Sequence, residues 1–366
     1  MITDPRYLEI DHKQELIADL LEKDNQTALI IQQPWNFQWF TSGGSNQAAD
    51  GRICAALYVT KDTRVVLTSN ADSPWIFETQ IPQLGFYVKE RNWAEQPELL
   101  ANDLCRGRRV VSDTGVANTK NIDKEIQKLR LKLTRREQDL ARKLGKDLTS
   151  CVERSALKFE PGQTELEVAG SLTQRMMAAG IEPMGVRVIG DGQNERYRQS
   201  ISRPKRIHRF VTVEATGRRN GLCLSVSRIM CHEPPEPILQ DAYQSAAVCQ
   251  TTGMFWSQPN APLDEVWNRV ERIYQKRGNP DEWRLNEQGA IFAQRPCEHQ
   301  ITASSSLQIE AGMLINWTPQ IGQAALNDTI LITQDGPEWL TKTEHWPLIQ
   351  VEIRGEILSC PALVKF

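Results

Sequence analysis

The chain contains 366 residues, of which 40% are apolar and 24% are charged, and its formal net charge is −3. This near balance of charge gives no reason to expect binding to nucleic acid or to an anionic membrane surface. No apolar run approaches the roughly 18 residues that a membrane-spanning helix needs, and the polar start M-I-T-D-P-R-Y-L-E-I-D argues against a secretory signal. The cysteines are scattered and form no C-x-x-C pair, as in cytoplasmic proteins with reduced thiols. We therefore expect a cytoplasmic protein.

Helix-like and strand-like segments alternate over the first 115 residues or so. The spacing of Leu16, Ile17, Leu20 and Leu21 predicts a helix over residues 10–24. The strand-like segments are A-L-I-I-Q, C-A-A-L-Y-V-T, R-V-V-L-T-S, G-F-Y-V-K-E and R-R-V-V-S. Between the first two lies P-W-N-F-Q-W-F-T-S-G-G, interpreted as an aromatic loop. The alternation predicts an α/β domain with a mixed sheet.

Two capping boxes mark helix starts in the next part of the chain. They pair Thr134 with Glu137 and Thr164 with Glu167. The first predicts a long amphipathic helix, and the second a helix that ends at Gly180, a favourable residue after a helix C-terminus. Two more helices are predicted over residues 237–256 and 264–277. The last ninety residues read as strands and turns.

A β-hairpin is predicted between these helices, over residues 211–230, V-T-V-E-A-T-G-R-R-N-G-L-C-L-S-V-S-R-I-M. Asn-Gly between two strand-like runs is a strong hairpin signal. The two strands carry Glu214 and Ser225, which are polar residues among apolar ones.

Several segments, in this order, carry a family resemblance. They are P-W-N-F-Q-W-F-T-S-G-G, T-R-R-E-Q-D-L-A-R-K-L, F-E-P-G-Q-T-E-L-E-V-A, G-D-G-Q-N-E-R-Y-R-Q, R-R-N-G-L-C-L-S-V-S-R, E-Q-G-A-I-F-A-Q-R-P-C-E, N-W-T-P-Q-I-G-Q-A-A-L-N-D-T and G-P-E-W-L-T. The chain resembles the pita-bread superfamily of creatinase, prolidase, aminopeptidase P and methionine aminopeptidase, and it looks closest to the Xaa-Pro dipeptidase-like branch. The resemblance implies an α/β (α+β) fold with two domains. Residues 1–125 would form a creatinase-like α/β domain, and residues 126–366 a pita-bread domain in which two helix pairs cup a curved antiparallel sheet.

The usual chemistry of this superfamily needs two metal ions, which activate a water and stabilise the tetrahedral intermediate of amide hydrolysis. The resemblance places the two hairpin aspartates at Glu214 and Ser225, the metal-binding histidine at Glu287, and the two glutamates at Glu298 and Asn327. A further substrate-facing histidine falls on Gln199. Glu298 alone keeps the family residue, so we expect no normal two-metal site and no cofactor. A single Mg²⁺ or Ca²⁺ held by three carboxylates stays open as an alternative.

The altered positions suggest a different use of the same cavity. Glu214, Glu287 and Glu298 are the candidate catalytic residues, because crowded carboxylates can divide into an acid and a base or bind a cationic substrate. The candidate substrate-binding residues are Gln199, Ser225, Arg228, Asn327 and Trp39. Arg228 could clamp a substrate carboxylate or pair with an acidic neighbour that holds the hairpin. The aromatic residues around Trp39 could line the substrate mouth or pack between domains or subunits.

Cys297 and His299 could in principle act as a thiol nucleophile and its histidine base. Adjacent residues of a strand point to opposite faces. If Glu298 faces the cavity, Cys297 and His299 therefore point away from it. Cys223 shares the parity of Ser225 and could face the cavity, although a small buried thiol explains it as well.

The sequence suggests three possible functions. The first is a non-standard, metal-independent hydrolase that cleaves a C–N bond in a small amide, guanidino or amino-acid-derived substrate. Creatinase, a metal-free member of the fold that handles a guanidino compound, is the precedent. The alternative is an inactive pseudo-peptidase that binds a peptide or protein partner. A metal-dependent Xaa-Pro peptidase agrees least with the residues. By resemblance we also expect a homodimer.

Overall fold

The computed structural model describes residues 4–342 and 345–365. The chain divides into two compact units, Met1–Arg130 and Leu131–Phe366. This division falls later than the predicted boundary after residue 125, because Ile126 is fully buried in the core of the first unit. Within the described ranges, no helix is both long enough and apolar enough to cross a membrane.

The first unit is built on one mixed six-stranded sheet, in agreement with the predicted α/β domain. Its helices are α1 (Pro5–Lys23), α2 (Pro34–Phe40), α3 (Ser73–Trp75), α4 (Leu99–Cys105) and α5 (Asp123–Arg130), and its strands are β1 (Ala28–Ile31), β2 (Ala55–Val59), β3 (Arg64–Ser69), β4 (Tyr87–Arg91), β5 (Val110–Ser112) and β6 (Lys120–Asn121). The strand order is β4-β3-β2-β1-β5-β6, with the β1–β2 and β2–β3 pairs antiparallel. Alternate residues of the central strand β1 enter two different apolar clusters, so both faces of the sheet are covered.

The aromatic segment is a helix and not the predicted loop. Pro34 stands in the first turn of α2, where its missing N–H costs nothing and its fixed φ suits a helix. The correction extends to Trp39, which was expected to contact substrate. Its side chain is 1% exposed and packs in the core of the first unit, and its carbonyl oxygen accepts a hydrogen bond from the Lys13 ammonium group.

The second unit contains two helix pairs and two larger sheets. Its helices are α6 (Arg135–Leu157), α7 (Glu165–Ala178), α8 (Pro237–Trp256) and α9 (Leu263–Lys276), and its strands are β7 (Glu182–Gly190), β8 (Phe210–Arg219), β9 (Leu222–Cys231), β10 (Gly289–Phe292), β11 (His299–Gln300), β12 (Leu314–Trp317), β13 (Gln320–Ile321), β14 (Ala324–Ala325), β15 (Asp328–Thr333), β16 (Gly336–Trp339), β17 (Leu348–Ile353), β18 (Glu356–Pro361) and β19 (Val364–Lys365). Both predicted capping boxes form, at Thr134 and at Thr164. The side-chain oxygen of each threonine accepts from the N–H three residues on, and the glutamate carboxylate accepts from the backbone N–H of the threonine.

The two larger sheets have the strand orders β19-β9-β8-β7 and β11-β10-β12-β15-β16. They are antiparallel except that β19 joins β9 in parallel. Helices α6 and α7 pack on the first sheet, and α8 packs against α9. This arrangement confirms the predicted pita-bread fold. The sheets meet where the Ser227 N–H donates to the Asn327 carbonyl oxygen at 2.8 Å, and the candidate site lies beside this join.

Candidate functional site

A cavity of about 220 Å³ lies at the join of the two sheets. Its polar lining comes from β7 and the segment that follows it, from the hairpin, from the segments before and after β10, and from β12 and the residues that follow it up to the start of β15. The polar lining residues are Arg187, Gln199, Glu214, Thr216, Ser225, Asn286, Glu287, Cys297, Asn316, Thr318 and Asn327. Five of the eight residues predicted from the sequence as site residues are among them, namely Gln199, Glu214, Ser225, Glu287 and Asn327.

Strand alternation explains how the hairpin presents its polar side chains. Val213 and Ala215 enter the apolar core, so their neighbours Glu214 and Thr216 face the cavity. Ser225 lies directly opposite Thr216 in the antiparallel register, and the two hydroxyl oxygens are 2.9 Å apart. The Ser225 hydroxyl also donates to the Ala215 carbonyl oxygen at 3.2 Å. Ser225 is thus held by the hairpin itself.

An arginine neutralises the first hairpin carboxylate. Arg187 on β7 lies directly opposite Glu214 on β8, which brings the two side chains to the same face. The Arg187 Nη2 and Nε atoms donate to Glu214 Oε2 at 2.5 and 3.2 Å. Arg187 Nη1 donates to the Arg198 carbonyl oxygen at 2.5 Å, so the guanidinium is held at both ends. Sequence analysis overlooked Arg187, although a lone charge within the apolar run V-R-V-I was a visible signal.

An amide network fixes Asn327. Its Nδ2 atom donates to Ser225 Oγ at 2.8 Å and to Glu214 Oε1 at 3.2 Å. Its Oδ1 atom accepts from Asn316 Nδ2 at 2.7 Å. Both asparagines are buried, and each bond limits the orientation of the next amide. The sequence did not single out Asn316 either, because this residue lies within an apolar strand-like run and belongs to no chemical motif.

Glu287 and Gln199 lie at the exposed part of the cavity wall. No hydrogen bond or ion pair of the Glu287 carboxylate to another protein group is found in the described part of the chain. Its backbone is anchored, because the Thr318 hydroxyl donates to the Glu287 carbonyl oxygen at 3.1 Å. Gln199 Nε2 donates to Asn286 Oδ1 at 2.5 Å. The cavity therefore holds one carboxylate committed to an arginine and one carboxylate open to solvent.

The predicted orientations of Glu298 and Cys297 are reversed. Cys297 lines the cavity and is exposed, whereas Glu298 is 7% exposed and does not belong to the lining. The Glu298 Oε1 atom instead accepts the Arg295 N–H at 3.1 Å. Residues 293–298 lie between two strands and consist mostly of bends, so the two side chains still diverge but their directions were not fixed by strand parity. His299, which begins β11, also lies outside the lining.

Arg228 lies in the core and not at the cavity, which corrects its predicted contact with substrate. It is 2% exposed and donates to Glu153 Oε1 at 3.1 Å and to Asp328 Oδ1 at 3.0 Å. The other interpretation, an arginine that holds the hairpin through acidic neighbours, describes this geometry. Cys223 is fully buried among apolar side chains, and burial raises the pKa of its thiol to about 12.

The fold is that of a pita-bread protein, and a family comparison agrees with it. The sequence pattern of metallopeptidase family M24 matches residues 139–334, which is more than half of the chain. The chain therefore belongs to metallopeptidase family M24, a family of peptide-bond hydrolases.

Three relatives, each less than 25% identical, resemble the chain over most of its length. An uncharacterized peptidase of Staphylococcus aureus (strain MW2) is 22% identical over 352 residues, which cover 90% of this chain and 98% of the relative. Among solved structures, the prolidase from Pyrococcus horikoshii OT3 has a TM-score of 0.79 at 18% identity and covers 91% of this chain and 99% of its own. The Xaa-Pro dipeptidase from Bacillus anthracis has a TM-score of 0.79 at 15% identity, with 98% and 100% covered. At these identities, the solved structures establish the fold alone.

Proposed function

We propose that this protein is a metal-independent hydrolase that cleaves a C–N bond in a small amide, guanidino or amino-acid-derived substrate. The observation that carries the proposal is the pairing of charges in the cavity. A guanidinium, Arg187, is fixed against Glu214, while a second carboxylate, Glu287, lines the same cavity without a protein partner in the described residues.

The side chains at the family's ligand positions do not fit two divalent cations. The Glu214 carboxylate already receives three hydrogen bonds, from the Arg187 guanidinium and the Asn327 amide. A metal bound there would have to displace or repel a permanent positive charge. Ser225 and Asn327 offer neutral oxygens engaged with neighbouring groups. Within residues 4–342 and 345–365, no group of three or more His, Cys, Asp and Glu side chains could hold a metal ion. In the proposed reaction, side chains of the protein carry out every step.

Glu287 is the proposed general base. As a water attacks the carbonyl or guanidino carbon, its proton passes to the Glu287 carboxylate and a tetrahedral intermediate forms. The C–N bond then breaks, and the same proton is donated to the leaving nitrogen. For an amide the products are a carboxylic acid and an amine, so one water is consumed and Glu287 is regenerated. Gln199 and Asn327 would orient the substrate through their amide groups.

The cavity limits the size and charge of the substrate. Its volume of about 220 Å³ lies below the usual range for drug-sized ligands of roughly 300–1,000 Å³. One arginine against two glutamates leaves the lining with a net negative charge. We infer a small neutral or singly cationic substrate, which agrees with amides and guanidino compounds better than with acidic peptides.

The test begins with metal analysis and a substrate screen. Purified protein, before and after dialysis against EDTA, is offered glycinamide, acetamide, guanidinoacetate and glycyl-proline. We expect hydrolysis of at least one of the first three, unchanged by EDTA. Glu287→Gln should lower kcat by about 10²- to 10⁴-fold, the usual contribution of a general base. Glu356→Gln, an exposed carboxylate on β18 outside the cavity, is the matched control and should leave kcat unchanged.

Two outcomes contradict the proposal. Two equivalents of Mn, Co or Zn per chain, with EDTA-sensitive hydrolysis of glycyl-proline, would establish a conventional dinuclear peptidase. Binding of the compounds with no hydrolysis of any of them would indicate a pseudo-peptidase.

A further inference from the structure

We propose that Arg187 is a catalytic residue whose guanidinium binds the substrate oxygen or nitrogen on which negative charge develops. The inference deepens the proposed function and rests on it. It assigns to a side chain of the protein the polarising positive charge that metal ions supply in dinuclear hydrolases. None of the family's ligand positions includes this residue.

The first support is that the guanidinium is fixed before any substrate arrives. Glu214 holds its Nε and Nη2 atoms, and the Arg198 carbonyl oxygen holds Nη1. The Arg187 and Glu214 side chains are 19% and 20% exposed, so the pair is largely desolvated but still reaches the cavity. A preoriented donor needs no reorganisation during the reaction, which is the condition for strong transition-state stabilisation.

The second support is that the guanidinium has spare donors. Arginine carries five N–H groups, and three of them make the bonds described above. The other two, one on each terminal nitrogen, have no acceptor among the described protein groups. Because Arg187 belongs to the cavity lining, a carbonyl oxygen of a ligand in the cavity is the natural acceptor for one or both.

The Glu214 carboxylate serves to hold Arg187 in place. Its carboxylate binds the arginine through Oε2 and accepts the Asn327 amide through Oε1, so neither oxygen is free of protein donors. Glu214 is therefore a positioning residue for Arg187 and not the acid or base of the reaction. The roles divide between one carboxylate that holds the cation and another, Glu287, that moves the proton.

The test compares Arg187→Met and Arg187→Lys with a control on the same two strands. Arg218 and Glu182 also lie directly opposite each other on β8 and β7 and form an ion pair, but neither lines the cavity. Arg218→Met thus removes a similar cross-strand pair without touching the site. Thermal unfolding of each variant reports folding. Binding is measured separately from turnover, as protection of the exposed cavity thiol Cys297 from iodoacetamide by the substrate.

We expect Arg187→Met to lower kcat by about 10²- to 10³-fold, as loss of an oxyanion donor does. The substrate concentration that half-protects Cys297 of this variant from iodoacetamide should rise only about three- to tenfold, because the contact strengthens in the transition state. Arg187→Lys should lower kcat by at least about tenfold, since an ammonium keeps the charge but cannot reproduce the planar fork. Arg218→Met should match the wild type. A kcat of Arg187→Met within about threefold of that control would overturn the inference.

The inference can fail separately from the proposed function. If the wild type hydrolyses no compound, the proposed function fails, and Arg187 is judged by binding of glycinamide alone. Protection of Cys297 that is weakened at least about threefold in Arg187→Met, but not in Arg218→Met, then supports a carbonyl contact. Equal protection in all three proteins overturns that contact. No protection of the wild type by any compound overturns both.

Discussion

The charged and reactive side chains that line the cavity have different surroundings. Glu214 is tied to Arg187, whereas Glu287 is exposed and its backbone carbonyl oxygen accepts from the Thr318 hydroxyl. Cys297 shares the cavity with Glu287, and it is the exposed cysteine of the eight, with Cys105 half-buried and the others buried. The two carboxylates and the thiol that line this cavity therefore differ in their accessibility to reagents.

Alkylation of Cys297 should depend on pH in a defined way. Partial desolvation by the cavity wall and the nearby Glu287 charge raise the pKa of the Cys297 thiol above its usual value of 9.0. The thiolate is the nucleophile, so the iodoacetamide rate should still be rising as the pH passes 9. Glu287→Gln removes one cause of the shift and should speed the reaction at pH 8. Mass spectrometry of time points checks both, with Cys297→Ser as the control. A rate that levels off below pH 9, or faster labelling of Cys105, would contradict this.

The residues that the sequence analysis missed share a physical reason. Arg187 meets Glu214 only because β7 and β8 pair in one particular register, which includes an irregularity between Pro183 and Gly185. No local pattern encodes that register. Cys297 and Glu298 were assigned to the wrong sides because strand alternation was applied to a segment of bends.

At the scale of elements, the successful predictions rest on local chemistry. A capping box needs only a threonine and a glutamate three residues apart, and the hairpin turn needs only residues that tolerate positive φ. Asn220 and Gly221 have φ values of 52° and 81°, as the Asn-Gly signal predicts for a two-residue turn. Helix α2 was missed because proline favours both a loop and a helix start.

Two helical glycines should respond in opposite ways to substitution by alanine. A Cβ added at Gly145 of α6 would lie 2.5 Å from the Leu340 carbonyl oxygen, whereas a Cβ added at Gly170 of α7 would meet open space. Alanine stabilises a helix interior by up to about 1 kcal/mol relative to glycine. We therefore expect Gly170→Ala to raise the free energy of unfolding by up to that amount. Gly145→Ala should lower it by about 1–3 kcal/mol because of overpacking.

Urea unfolding followed by circular dichroism measures both changes, and each variant is the control for the other. Equal shifts of the midpoint in the same direction would mean that helix propensity, and not the contact with Leu340, decides the result.

At the scale of the whole molecule, the chain has two units with separate apolar cores. The cores of Leu131–Phe366 draw on the α6–α7 and α8–α9 pairs, and those of Met1–Arg130 surround the six-stranded sheet. Every residue that lines the candidate cavity belongs to the second unit. Its geometry is therefore set by contacts within that unit.

We expect residues 131–366 to fold when produced alone, because a unit with its own core can in principle do so. The fragment should unfold cooperatively on heating, and its Cys297 should react with iodoacetamide at a rate close to that in the intact chain. Calorimetry and mass spectrometry measure the two properties, with the full chain as the reference. A fragment without a cooperative transition would show that its cores depend on the first unit.

The hairpin turn also restricts how this cavity can diverge over evolutionary time. Because Asn220 and Gly221 fix a two-residue connection, inserting or deleting one residue there would slip β9 against β8. Leu224 or Val226 would then take the place of Ser225, and the cavity would lose its polar wall. Descendants of such a protein could exchange the chemistry of the site one side chain at a time, but a change in the length of this turn would remove the site altogether.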